Sequence, residues 1–148
     1  MEDRYLYKAK TTPKEKGEFN NVWVTGNLIV SNGKYYIHPV GNVVNVKNET
    51  GRIIVMHEVI PDTICRCTGL KDRNRNSNLI WENDVVAYWD TYSTESGYAE
   101  ADCIGRVVWD TETISFQVTN RLSAESYEVL GECSVIGNIF DNPELLEV

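Results

Sequence analysis

The sequence predicts a mainly β protein with very little helix, and two observations carry that prediction. Short apolar or alternating runs recur along the chain, and turn-forming clusters such as Ser31-Asn32-Gly33 and Glu49-Thr50-Gly51 separate them. This spacing is typical of antiparallel strands joined by short loops. Segments with helical patterning are too short to form independent helices.

In the first half, the runs at residues 21–30, 34–39, 42–47 and 51–58 are predicted as strands of a β-meander. Asn32-Gly33 supplies two residues that tolerate positive φ, so it predicts a tight hairpin turn. That turn pairs Leu28-Ile29-Val30 with Tyr35-Tyr36-Ile37. Residues 11–20, which contain Pro13 and Gly17 among lysines and glutamates, are predicted as a mobile loop.

In the second half, residues 80–89, 101–110, 115–120 and 127–139 are predicted as strands, and residues 90–97 as a polar loop. The helical candidates are residues 122–127, with Ser123 as a cap, and residues 143–148, which open on a proline. Pro61-Asp62 interrupts one strand before the next begins at Thr63. We therefore expect a β-rich N-terminal part at residues 1–62 and a C-terminal part at residues 63–148.

Composition predicts a soluble protein that folds without disulfides. A chain of 148 residues with 42% hydrophobic content can bury a substantial core, as one domain or two small packed lobes. The N-terminus lacks the apolar core of a secretory signal, and no apolar run approaches the ~18 residues of a membrane span. We expect the four cysteines to be reduced thiols in the cytoplasm.

The formal charge of −8 argues against nucleic acid as a partner, because backbone binding relies on Lys and Arg. The charge is uneven, however. After Arg121 the chain has no Lys or Arg, and this acidic tail is interpreted as a solubility feature. A basic stretch near the N-terminus leaves open a local nucleic-acid-binding patch, and it consists of Arg4, Lys8, Lys10, Lys14 and Lys16.

No residues form a recognisable catalytic, metal or cofactor motif. Cys65 and Cys67 share a strand face, but structural zinc sites use wider spacings, so core packing is the preferred interpretation with Cys103 and Cys133 as further thiols. His38 and His57 are the only histidines, and neither stands beside a convincing nucleophile. We therefore predict no enzyme activity, no metal and no cofactor.

Four residues, Trp81, Glu82, Asp84 and Trp89, are the candidates for a binding site. Glu82 and Asp84 lie two apart, so on an extended segment they share a face, but a carboxylate that accepts hydrogen bonds from turn amides is the preferred role for Asp84. Trp81 and Trp89 would share a face on one unbroken strand. The two rings either fill the core or line a binding groove. An exposed end of the row of side chains from Trp81 to Trp89 is the best candidate for a binding surface.

Several segments, in order, resemble the YopX family, small proteins encoded mainly by bacteriophages and prophages. The strongest are Thr68-Gly69-Leu70-Lys71-Asp72 and Ile80-Trp81-Glu82-Asn83-Asp84-Val85-Val86, similar to TGLKDKNG and IYEGDIV. Val22-Trp23-Val24-Thr25-Gly26-Asn27-Leu28-Ile29 resembles WVxGxLI, residues 59–64 resemble VDPETV, and residues 135–145 resemble VIGNIYENPEL.

Two positions depart from that pattern. Asn83 replaces a glycine. We interpret this as a backbone position of positive φ, because asparagine tolerates that conformation best among the residues other than glycine. Asn74-Arg75 replaces Asn-Gly, so a longer loop is expected in place of a tight turn.

The resemblance implies a fold and a setting but no reaction. It implies an SH3-like small barrel for the C-terminal part and the cytoplasm of a bacterial host. We expect a non-enzymatic accessory protein that binds an unknown host or phage protein and self-associates through an exposed sheet edge. The alternative is a nucleic-acid-associated factor that uses the basic stretch.

Overall fold

The computed structural model describes residues 5–13, 21–39, 56–74, 77–119, 126–128 and 133–146. The described residues are mainly β and form antiparallel sheets, as the sequence predicts. The chain divides into two compact units, Met1–Cys67 and Thr68–Val148. Within the described residues, no helix has the length and apolar character needed to cross a membrane.

The first unit is built on one sheet. Its strands are β1 (Tyr7–Lys10), β2 (Trp23–Ser31), β3 (Lys34–Pro39), β4 (His57–Glu58) and β5 (Cys65–Lys71), of which β5 continues into the second unit. The spatial order is β4-β3-β2-β1-β5. The predicted strand at residues 42–47 lies outside the described residues.

The hairpin predicted between β2 and β3 is confirmed. Asn32 and Gly33 have φ values of 52° and 73°, the left-handed conformation that the turn requires. Ser31 pairs with Lys34, and Leu28 pairs with Ile37. The register follows from the two-residue turn, so this part of the fold is encoded locally.

The prediction of a mobile loop at residues 11–20 is wrong at its first residue. Thr11 is fully buried, forms a β-bridge with Val59, and accepts a hydrogen bond from the Val22 amide on its hydroxyl at 3.0 Å. Residues 14–20 lie outside the described residues. Sequence reasoning also missed β1, because two lysines alternate with its inward residues and hide its apolar face.

Cys65 and Cys67 of β5 are fully buried on one face of the first unit's sheet, and a core cluster lies on the other face. Ala9, Ile37 and Val59 are its fully buried members. The half-buried residues packed against them are Tyr7, Val24, Leu28, Tyr35 and Ile64. Since side chains alternate along a strand, the opposite face carries Lys8, Lys10 and Trp23.

The second unit contains a second sheet. Its strands are β6 (Leu79–Trp81), β7 (Asp84–Thr94), β8 (Gly97–Asp110), β9 (Ser115–Thr119), β10 (Ser126–Glu128) and β11 (Ser134–Asn138). β6 is hydrogen bonded to β5, and the others form a sheet in the order β10-β9-β8-β7-β11. Among the described strands this sheet is open, with β10 and β11 at its edges.

Three predictions for the second unit are corrected by the structure. Residues 80–89 are not one strand, because a turn at Glu82-Asn83 separates β6 from β7. Residues 90–97 are not a loop, because β7 and β8 continue as a hairpin until Thr94 pairs with Gly97. The threonines and Tyr92 there are good strand formers despite their polarity. Residues 127–139 divide into β10 and β11.

The predicted helices have different outcomes. Pro143–Leu146 forms a short 3-10 helix where the C-terminal helix was expected. The other candidate begins outside the described residues, and Ser126 and Tyr127 belong to β10, so its last two residues are not helical. An isolated turn of helix has no stability of its own, and pairing with β9 decides the conformation here.

Val85 of β7 is fully buried on one face of the second unit's sheet, and a core cluster lies on the other face. Its buried members are Ile80, Val86, Val107, Val118 and Cys133. Tyr88, Phe116 and Val135 pack against this cluster, and the Phe116 ring meets Trp109 edge-on with centroids 4.9 Å apart. The opposite face of β7 and β8 carries Ala87, Trp89, Asp102 and Ile104.

Candidate functional site

The four candidate residues lie around the turn between β6 and β7 and along β7. Trp81 is 8% exposed, Asp84 is 2% exposed and Trp89 is 55% exposed, whereas Glu82 is half-buried. The turn at Glu82-Asn83 interrupts the extended backbone on which a shared face was predicted. By their exposed fractions, Trp81 lies in the interior and Trp89 is the candidate aromatic residue at the surface.

Asp84 has the structural role expected for it. Its carboxylate Oδ2 accepts a hydrogen bond from the Trp81 amide at 2.8 Å, which closes the turn before β7. A buried carboxylate is costly unless hydrogen bonds satisfy it, and the amide donor supplies one. Asp84 thereby fixes the start of β7.

Asn83 has the positive φ that its replacement of a family glycine predicts. Its φ is 72°, and its amide donates to the Val107 carbonyl at 2.8 Å. The side chain adds a contact that glycine lacks, since Arg106 donates to Asn83 Oδ1 from Nε at 3.2 Å and from Nη2 at 2.8 Å. The turn is therefore tied to β8 by backbone and side chain together.

Asp72, the last residue of the Thr68–Asp72 signature, is a buried hydrogen-bond centre. Oδ1 accepts from the amides of Asn74 at 3.2 Å and Asn78 at 2.8 Å. Oδ2 accepts from Asn74 Nδ2 at 2.6 Å and from the Val135 amide at 2.9 Å. This carboxylate shapes the expected loop between β5 and β6 and ties it to β11.

Thr68 and Gly69, in the same signature, also serve the backbone. The Thr68 hydroxyl donates to the Ile80 carbonyl at 2.8 Å and accepts from the Leu70 amide at 3.1 Å. Gly69 has a φ of 81°, a conformation that other residues adopt with strain. The signature therefore positions β5 against β6, and both of these contacts are with the backbone.

The C-terminal segment is held by two asparagines. Asn138 Oδ1 accepts from the amides of Phe140 and Asp141, both at 2.9 Å. The main-chain amide of Asn142 donates to the main-chain carbonyl of Asn138 at 2.8 Å. A Cβ at Gly137 would lie 2.5 Å from Asn142 Oδ1 and 2.9 Å from Leu145 Cδ1, so glycine permits this close return of the chain.

Gly26 permits an equally close approach in the first unit. A Cβ there would lie 2.0 Å from the His38 carbonyl oxygen, a distance that no side chain can adopt without moving β3. The glycine of the Val22–Ile29 segment is thus required for strand packing.

The thiols and histidines do not form a reactive cluster among the described residues. Cys65, Cys67 and Cys133 are buried and Cys103 is half-buried, and no group of three or more His, Cys, Asp or Glu there is arranged to hold a metal ion. Burial raises the pKa of the Cys133 thiol, and the nearby carboxylates of Asp72 and Asp84 raise it further, against an opposing backbone hydrogen bond. A raised pKa disfavours the thiolate, which is the reactive form.

An apolar surface among the described residues lies on the face of the second sheet that is opposite its core cluster. Trp89 on β7 pairs with Asp102, and Ala87, two residues earlier, pairs with Ile104 on β8. Trp89 and Ile104 are therefore diagonal neighbours on one face, within reach of an aromatic side chain. Ile104 is 43% exposed. We name this surface, formed by Ala87, Trp89 and Ile104, the Trp89 patch.

Sequence reasoning identified Trp89 but missed Ile104. Ile104 stands between Cys103 and Gly105, where no alternation of apolar and polar residues marks it as exposed. Its place beside Trp89 depends on the register of β7 with β8, which the predicted loop at residues 90–97 concealed.

These features define an all-β protein whose signature residues mainly build turns and close strand contacts. The chain belongs to the YopX family, because the family model described as "YopX protein" matches residues 4–147, nearly the whole chain. Searches of curated proteins and of solved structures found no match.

Proposed function

We propose that this protein is a non-enzymatic phage or prophage accessory protein that binds another protein through the Trp89 patch. The observation that carries the proposal is the exposure of Trp89 next to Ile104 on one sheet face. Large exposed aromatic residues with aliphatic neighbours are the typical anchors of protein interfaces.

The other candidate residues lie at or just before the start of the strand that carries this surface. Trp81, Asp84 and Asn83 form the turn that fixes the start of β7, and Trp89 lies on the same strand. In this proposal Trp89 contacts the partner, Glu82 lies at the margin, and Trp81 and Asp84 hold the strand in place.

The charge of the second unit narrows the class of partner. Thr68–Val148 contains five Lys or Arg and 15 Asp or Glu, a formal charge of −10. Asp102 lies beside Trp89 and is exposed. A protein with an apolar pocket rimmed by basic residues fits this surface, because complementary charge speeds association and disfavours wrong partners.

Three further assignments belong to the same proposal. The second unit is an SH3-like small barrel, as family membership implies. The protein acts in the cytoplasm of a bacterial host, without a cofactor. It also forms a homo-oligomer, for which light scattering of the purified protein is the direct measurement.

The test is affinity capture from nuclease-treated bacterial lysate with the native protein and the Trp89→Ser variant. Ile114→Ser is the matched control, because Ile114 is 74% exposed in the same unit but lies outside the patch. We expect a discrete protein partner that Ile114→Ser retains and Trp89→Ser loses. Equal recovery by both variants, or recovery only without nuclease, would count against the proposal.

A further inference from the structure

The sheet of the first unit has a face that combines basic and aromatic side chains. Lys10 pairs with Trp23, and Lys8 lies two residues before Lys10 on β1. Tyr36 and His38 of β3 pair with Ile29 and Asn27 of β2. Because side chains alternate along a strand, Asn27 and Ile29 lie on the same face as Trp23, and so do their partners. We name this surface, formed by Lys8, Lys10, Trp23, Tyr36 and His38, the basic-aromatic face.

The two ammonium groups are gathered around one indole ring. Lys8 Nζ lies 4.8 Å and Lys10 Nζ lies 5.5 Å from the centroid of the Trp23 ring. Two like charges on neighbouring side chains repel each other, and the face of the ring offsets that repulsion through cation–π attraction. Trp23 thereby concentrates two positive charges at one end of the face.

The total charge of −8 conceals a difference between the units. Met1–Cys67 contains nine Lys or Arg and seven Asp or Glu, a formal charge of +2, against −10 for the rest of the chain. Among the described strand residues on the basic-aromatic face, the one carboxylate is Glu58, on the edge strand β4. Local charge governs binding at a patch, so the total does not exclude an anionic ligand here.

The spacing of the rings fits an extended polymer. Along β2, Asn27, the partner of His38, lies four residues after Trp23, and Ile29, the partner of Tyr36, lies six residues after Trp23. At about 3.3 Å per residue these steps are about 13 and 20 Å. Rings at these intervals on a positive surface could stack with bases at separate points along one bound strand.

We propose that the basic-aromatic face binds single-stranded nucleic acid. On binding, Lys8 and Lys10 move from the Trp23 ring to backbone phosphates, and Trp23, His38 and Tyr36 offer ring surfaces to the bases. A duplex hides the faces of its bases inside the stack, so this surface favours single strands. The site is separate from the Trp89 patch, so either proposal can fail without the other.

Fluorescence anisotropy of the full chain with a fluorescein-labelled oligothymidylate of about twelve nucleotides tests this proposal at low salt. The double variant Lys8→Gln/Lys10→Gln is expected to bind at least about tenfold more weakly, with a log–log salt slope smaller by about 1.4. The control Lys71→Gln/Arg73→Gln removes two positive charges from exposed residues of the second unit. It should bind within about twofold of the native protein.

Trp23→Leu separates stacking from charge, because it keeps both lysines. We expect it to weaken oligothymidylate binding about fivefold while circular dichroism remains native. Absence of binding by the native protein, or equal weakening in both charge variants, would overturn the proposal. Equal competition by polyglutamate or by a duplex would do so too, since the face would then be a general polyanion site.

Discussion

The carboxylate of Asp72 accepts a hydrogen bond from the amide of Val135 at 2.9 Å and so joins two residues 63 positions apart. Each residue lies in a segment that carries the family resemblance, Asp72 at the end of the Thr68–Asp72 signature and Val135 at the start of the C-terminal one. The neighbouring Arg73 amide also donates to the Cys133 carbonyl at 2.9 Å. The signature therefore fixes the edge strand β11 to the loop after β5.

Replacement of Asp72 by Asn should destabilise the protein by about 3 kcal/mol. The amide group would place a donor where the carboxylate accepts from backbone amides, and hydrogen bonds to charged acceptors contribute about 1.5–3 kcal/mol each. Urea denaturation followed by circular dichroism measures the change in the free energy of unfolding. Asp102→Asn, at an exposed carboxylate of β8, should change it by less than about 0.5 kcal/mol.

Substitutions at Asn83 separate backbone strain from side-chain bonding. Asn83→Gly loses the contact with Arg106 but accepts the positive φ freely, whereas Asn83→Ala loses the contact and keeps the strain. We expect the alanine variant to be less stable than the glycine variant by about 1 kcal/mol. Melting temperatures of the two variants compare them directly, and equal values would show that φ at this turn costs nothing.

The C-terminal 3-10 helix should contribute to stability through Leu145. Its Cδ1 lies against Gly137, and the side chain is half-buried. Leu145→Ala should cost about 1–2 kcal/mol, less than a fully buried leucine, and deletion of the chain after Phe140 should cost more. Glu144→Ala, at an exposed residue of the same helix, is the control in thermal unfolding. An unchanged melting temperature after the deletion would contradict this role.

Stability should fall at alkaline pH in part because of Cys133. Its thiol pKa is raised in the folded state, chiefly by burial, so the folded protein keeps a proton that the unfolded chain loses. The contribution is complete below the ordinary thiol pKa of about 8.5 and decreases as pH rises from there through the higher folded value. Between these two pH values, chemical denaturation should show that the free energy of unfolding falls less steeply with pH for Cys133→Ala than for the native protein. Identical pH profiles would exclude this source of the decline.

Turn chemistry accounts for most of what could be predicted from the sequence. Asn32-Gly33 encodes its hairpin within two residues, and the positive φ of Asn83 followed from the glycine it replaces. Strand pairing accounts for the errors. β1 and the extension of β7 to Thr94 consist of polar or alternating residues, and their strand conformation depends on a partner strand. That partner is β2 for β1 and the adjoining strand of the same hairpin, β8, for β7.

The sequence by itself determined the all-β class, the family, the β2–β3 hairpin and the role of Asp84 in a turn, because each depends on residues close together in the chain. Only the tertiary structure decided that Trp81 is buried and Trp89 exposed, that Ile104 lies beside Trp89, and that Asp72 holds β11. These relationships depend on strand register and on which sheet face is covered. Which face is covered depends on the packing of distant segments, which no local pattern specifies. The register of β7 with β8 continues from the turn between Thr94 and Gly97, where the sequence pattern predicted a polar loop.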